Sequence, residues 1–141
     1  MITLVYLVRR RPDLSPQAFR EAARAAQART AELARERLGA VRHRLGFEAC
    51  AKRSHCMATA RRLGGQPPDA LIELSWPNLE AFDAKMGTPD ALRALDEFID
   101  AERTWVDFAR STAFVVEKQD AALHAPIKTQ LSKAELSNEP I

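Results

Sequence analysis

ITLVYLV, residues 2–8, places apolar side chains at both parities of one short run built from β-branched, aliphatic and aromatic residues. Alternate strand residues point to opposite faces, so such a run belongs at the centre of a sheet covered on both sides. A fold built on it needs helices on one face and something apolar on the other.

RRRPDLSPQAF, residues 9–19, breaks the strand, and Ser15 followed by Pro16 is a helix start. The serine hydroxyl caps free backbone N–H groups, and proline has no N–H to lose at the first helical position. Phe19, Ala23, Ala26, Thr30 and Leu33 then recur at three- and four-residue steps. Arg20, Glu21, Arg24, Glu32, Arg35 and Glu36 fall mostly off that stripe. The pattern predicts one long amphipathic helix ending near Gly39.

VRHRLGF, residues 41–47, alternates. Val41, His43, Leu45 and Phe47 share one face, and Arg42, Arg44 and Gly46 the other, as in a half-exposed strand. Residues 49–68 lack periodicity and end in Gly-Gly and Pro-Pro, which reads as a long loop. ALIELSW, residues 70–76, is a further strand, with Ile72, Leu74 and Trp76 opposed to Leu71, Glu73 and Ser75. Asn78 caps a short helix carrying Leu79, Phe82 and Met86. Thr88-Pro89-Asp90 opens another, with Leu92, Leu95 and Phe98 or Ile99 on its inner side. STAFVVEK, residues 111–118, is the last strand, and residues 119–141 read as a tail, loose or laid across a partner.

The order β, α, β, loop, β, one or two helices, β favours an α+β fold: a ferredoxin-like four-stranded antiparallel sheet with helices on one face. The first and last strands are apolar at both parities. A second copy covering the open face, as in a symmetric homodimer, explains this economically.

The 141 residues suit one domain, taken as 1–118 with the tail at 119–141. A composition 46% apolar and 28% charged places the chain among globular proteins. A formal net charge of +2, with arginines interleaved among glutamates, argues against a nucleic-acid partner. MITLVYLV is short and has arginines after it, the reverse of a secretory leader, and no run reaches the roughly 20 apolar residues of a membrane span. A cytoplasmic protein with no membrane partner is therefore expected, with Cys50 and Cys56 as free thiols.

LVYLVRRRPDLSPQAF (4–19), PDALIELSW (68–76) and WVDFARSTAFVVE (105–117) together resemble the EthD family, a branch of the dimeric α+β barrel superfamily. The resemblance covers residues 1 to about 118. It implies a dimer with one pocket per subunit between sheet and helices, and relatives that include polyketide cyclases, cofactor-free monooxygenases, isomerases and decarboxylases. Family members usually carry a histidine midway along the first helix, where this chain has Gln27. Asp69 and Glu73 match the family's acidic pair. The aromatic residue usual two places after that glutamate is replaced by Ser75, with Trp76 next to it.

His43 is the candidate proton carrier, because an imidazole titrating near pH 6.5 accepts a proton from a phenol or carbon acid; a buried histidine bonded to backbone is the competing reading. Glu73 is the second catalytic candidate, set against a salt bridge to Arg42 or Arg44 or across a dimer. Tyr6, Phe47, Trp76 and Trp105 are candidates for holding a flat ligand, and core packing accounts for them equally. Gln27 is a candidate for binding a polar substituent, and Asp69 for ligand binding or for capping a turn. Cys50, His55 and Cys56 offer metal-compatible donors at a spacing that matches no zinc motif, so no metal is expected. The resulting expectation is an enzyme with no cofactor acting on a small hydrophobic aromatic or polyketide-like compound, as a cyclase, dehydratase, isomerase or monooxygenase. The alternative is a non-catalytic small-molecule-binding or accessory protein.

Overall fold

β1 (Ile2–Val8) runs through the middle of a four-stranded antiparallel sheet in the order β2-β3-β1-β4, with β2 at Arg42–Phe47, β3 at Ala70–Trp76 and β4 at Thr112–Glu117. The computed structural model describes residues 1–119. Four helices complete it: α1 (Pro16–Arg37), α2 (Ala51–Ala60), α3 (Leu79–Met86) and α4 (Pro89–Glu102). This is the ferredoxin-like arrangement expected from the element order. The expected tail, beyond its first residue, lies outside the described residues.

Register divides the side chains between two faces. His43, Leu74, Leu4 and Val115 form one cross-strand row, and Leu45, Ile72, Tyr6 and Ala113 the next row on the same face. That face meets the helices. Arg44, Glu73, Val5 and Phe114 form a row on the opposite, helix-free face.

The helix starts follow their caps. Ser15 Oγ accepts from Ala18 N–H at 3.1 Å, Asn78 Oδ1 from Ala81 N–H at 2.8 Å and Thr88 Oγ1 from Ala91 N–H at 3.2 Å. α1 stops at Arg37, and Gly39 turns the chain at φ 71°, where a Cβ would come 3.1 Å from Lys85 Cγ. Two apolar clusters lie between sheet and helices. One gathers Leu33, Leu38, Leu74, Trp76 and Phe98, the other Val8, Phe19, Ala23, Ile72 and Trp105.

Three expectations are corrected. The stretch read as a loop contains α2, which buries no side chain and so carries no apolar period; alanine, lysine, arginine and methionine suffice to form it. The buried stripe of α1 runs Phe19, Ala23, Gln27, Thr30, Leu33: Gln27 joins it, and Ala26 packs partly buried beside the core. On α4, Phe98 is buried and Leu95 and Ile99 face the cavity as expected, but Leu92 is exposed, and Ala91, Ala94 and Glu102 complete the buried side. Small alanines let α4 sit close to α1, and the bulkier leucine is left to the rim. Among the described residues, no helix is long and apolar enough to cross a membrane.

Candidate functional site

Between the two apolar clusters the helix face of the sheet leaves a cavity of about 290 Å³. Leu4, Tyr6, Ile72 and Leu74 form its floor, and Leu95, Phe98 and Ile99 of α4 close one side. Gln27 and Thr30 of α1, and Glu102 from the last turn of α4, bring polar groups to this otherwise apolar space. The α1 stripe accounts for the position: it is apolar at Phe19 and Ala23, polar at Gln27 and Thr30, and apolar again at Leu33. A polar group facing a core needs a partner there, and two pairs supply one to Tyr6, Glu102 and the Gln27 carbonyl.

In the first pair, Tyr6 Oη donates to Glu102 Oε2 at 3.0 Å. Glu102 is only 7% exposed. Burial pushes its carboxyl up to about 7, and the Tyr6 hydrogen bond opposes this without cancelling it. Tyr6 is raised well above the ordinary phenol range by burial first, then by the Glu102 charge and hydrogen bond. Tyr6 therefore stays a donor, and Glu102 is the group that changes protonation near neutral pH.

In the second pair, His43 Nε2 lies 2.5 Å from Gln27 Oε1. His43 does not line the cavity. It sits behind Gln27, on the edge strand β2, beside a separate open depression bordered by Ala31, Arg35 and Arg42. Burial lowers its pKa, which keeps the ring neutral at pH 7.

The remaining candidates are placed elsewhere. Glu73 stands on the helix-free face and pairs with Lys118 Nζ at 2.6 Å, rather than with Arg42 or Arg44. Asp69 Oδ2 accepts from Arg10 N–H at 2.7 Å and lies 3.4 Å from Arg9 Nε, tying the end of β1 to the start of β3. Trp76 is fully buried, donates from Nε1 to Leu38 O at 2.8 Å and meets Phe82 edge-on. Trp105 packs on Phe19 and donates to Ala101 O at 2.8 Å. Phe47 packs edge-on to Phe19 beneath the guanidinium groups of Arg20 and Arg24. None of Phe47, Trp76 and Trp105 lines the cavity, because each completes one of the two cores or its rim. Cys50 precedes α2, and His55 and Cys56 lie exposed on it.

Glu102 escaped the sequence reading. Its signal was the spacing from Ala94 and Phe98, which extends the inward stripe of α4 by one more turn onto an acidic residue.

The sheet order and one-sided helix layer define a ferredoxin-like α+β protein. No family model matches the sequence, and no curated protein matches it. Several solved structures share the fold. An EthD family protein from Bacillus halodurans aligns with TM-score 0.54 at 17% identity, covering 84% of this chain and 99% of its own. A dimeric protein of unknown function and ferredoxin-like fold from Bacteroides fragilis gives 0.52 at 9%, covering 83% and 95%. SnoaB, a cofactor-independent oxygenase from Streptomyces nogalater, gives 0.51 at 17%, covering 87% and 97%. The EthD-like resemblance read from the sequence thus holds at the level of the fold.

Proposed function

We propose that the chain is a cofactor-independent enzyme that moves a proton on a small hydrophobic, aromatic or polyketide-like compound. The observation that carries this reading is Glu102: a carboxyl inside an apolar cavity, pushed up to about 7, with Tyr6 as its only hydrogen-bond partner among the described residues. Such a group is the stronger general base for being desolvated, and it still ionises at neutral pH. The Glu102 carboxylate takes a proton from a carbon next to a carbonyl, leaving the substrate as its enolate. The resulting carboxylic acid returns the proton to the same or another position. Enolate formation is the first step common to cyclisation, dehydration, isomerisation and oxygenation of such compounds. The likeness of fold to a cofactor-independent oxygenase is consistent with this class.

In this reading the enzyme works as a homodimer, in keeping with two neighbours of known structure that are described as dimeric. Gln27 at the family's histidine position favours the alternative of a binding protein without chemistry, since an amide does not titrate. One experiment separates the two. Aromatic ketones such as α-tetralone are incubated with the protein in heavy water, and deuterium entry beside the carbonyl is followed by NMR. Exchange above buffer that is lost in Glu102→Gln supports the enzyme. Binding without exchange, or equal exchange in Glu102→Gln, rejects Glu102 as the base.

A further inference from the structure

Gln27 is 3% exposed, lines the cavity, and its amide takes part in one hydrogen bond among the described residues, Oε1 accepting from His43 Nε2. A carbonyl oxygen only accepts, so with Oε1 facing the ring this contact uses the imidazole tautomer that carries its proton on Nε2. Burial favours the neutral ring, and Nε2–H donates both in that tautomer and in the protonated ring. The amide nitrogen, with two N–H groups, has no protein partner among the described residues. A buried amide held by one end offers its other end to whatever fills the cavity.

We infer that His43 fixes the Gln27 amide so that its N–H groups meet a ligand oxygen, making the cavity selective for compounds with a carbonyl acceptor, such as aromatic ketones. His43 is then a positioning residue. It touches no ligand and acts by donating Nε2–H to Gln27 Oε1, which leaves the amide N–H groups to the cavity; the Nδ1–H tautomer would accept from the amide instead and turn Oε1 to the cavity, where it would select a hydroxyl donor. Glu102 on α4 and the donor on α1 line the same cavity, so one ligand can offer its carbonyl oxygen to Gln27 and the neighbouring C–H to Glu102. This inference rests on the proposed function for the chemistry, but the selectivity it describes is a property of binding alone.

The test is calorimetric binding of α-tetralone and of tetralin, which has the same rings and no oxygen. The wild type should bind α-tetralone about tenfold more tightly, the difference one hydrogen bond of about 1.4 kcal/mol makes. Gln27→Met should bring the two affinities together while keeping that for tetralin. His43→Leu should lose most of the preference, and His43→Gln, whose amide nitrogen reaches the place of Nε2, should restore it. A merely structural histidine would not give that rescue. Equal binding of both probes by the wild type, or an unchanged preference in His43→Leu, overturns the inference and leaves Glu102 as base untouched. Failure of both probes to bind overturns the inference together with the proposed ligand cavity.

Discussion

Tyr6 on β1 and Glu102 at the end of α4 meet at 3.0 Å, phenol donating to carboxylate, across 96 residues of sequence. The pair is asymmetric. Burial raises both groups, but the tyrosine is lifted further by the negative charge beside it, while the glutamate is partly relieved by the hydrogen bond it accepts. One group is thereby kept as a donor and the other left to titrate near neutrality.

Replacing Tyr6 with Phe removes that relief. Glu102 should then ionise at higher pH than in the wild type, and the rising limb of a pH profile for deuterium exchange should move alkaline of its wild-type position near 7. Activity should fall several-fold at pH 7 and recover towards pH 9, with a stability cost of about 1 kcal/mol for the lost hydrogen bond. A limb that stays in place would show that Tyr6 does not set the charge state of Glu102.

The same carboxyl should make stability depend on pH. Its pKa is about 7 in the folded protein against an ordinary value of 4.5, so the folded state holds more protons than the unfolded state between those values. Stability contributed this way is complete below about pH 4.5, declines as pH rises through about 7 and is level beyond it. Its size is on the order of 3 kcal/mol. Thermal unfolding of Glu102→Gln, compared with wild type from pH 5 to 8, should show a flatter profile. Parallel profiles would mean that Glu102 is not buried as described.

Much of this fold was legible because its determinants are local. Ser15, Asn78 and Thr88 each cap the helix they precede, ITLVYLV and ALIELSW match their strands residue for residue, and alternation in VRHRLGF turns His43 towards the helices. What was not legible depends on tertiary distance. Nothing in the period of α2 announces a helix that packs no face. Parity gives the face of His43 but not that Gln27 stands between it and the cavity, since that is fixed by how α1 lies across β2. Aromatic type did not separate ligand-holding rings from core rings: Tyr6 reaches the cavity, whereas Trp76 fills the core beside it.

Trp76 tests that distinction. Trp76→Phe loses the Nε1 bond to Leu38 O and leaves space next to Phe82. The buried carbonyl without its partner and the lost packing should together cost about 2 to 4 kcal/mol, read as a lower melting temperature. The affinity of the folded variant for α-tetralone should stay within about twofold of wild type, because Trp76 does not line the cavity. A large loss of affinity at temperatures where the variant is folded would place Trp76 in the ligand site after all.

The helix-free face carries the last prediction. Phe114 is 47% exposed there, in line with Val5 on the neighbouring strand, and Leu7, Leu71 and Val116 share the face. Glu73 and Lys118 form an ion pair on the same side, and Arg42 and Arg44 lie at the β2 edge, so the apolar part of the face runs along β1 and β4. A sheet surface of this kind is stable in water when another apolar surface covers it, and a two-fold axis lets one copy of the chain cover the next. Light scattering at micromolar concentration should therefore report a dimer. Phe114→Lys changes both copies at one interface; losing about 2 kcal/mol of burial from each should weaken association by roughly 10²- to 10³-fold and give monomers at the same concentration. A wild-type monomer, or a Phe114→Lys dimer of unchanged strength, would exclude this face as the dimer contact.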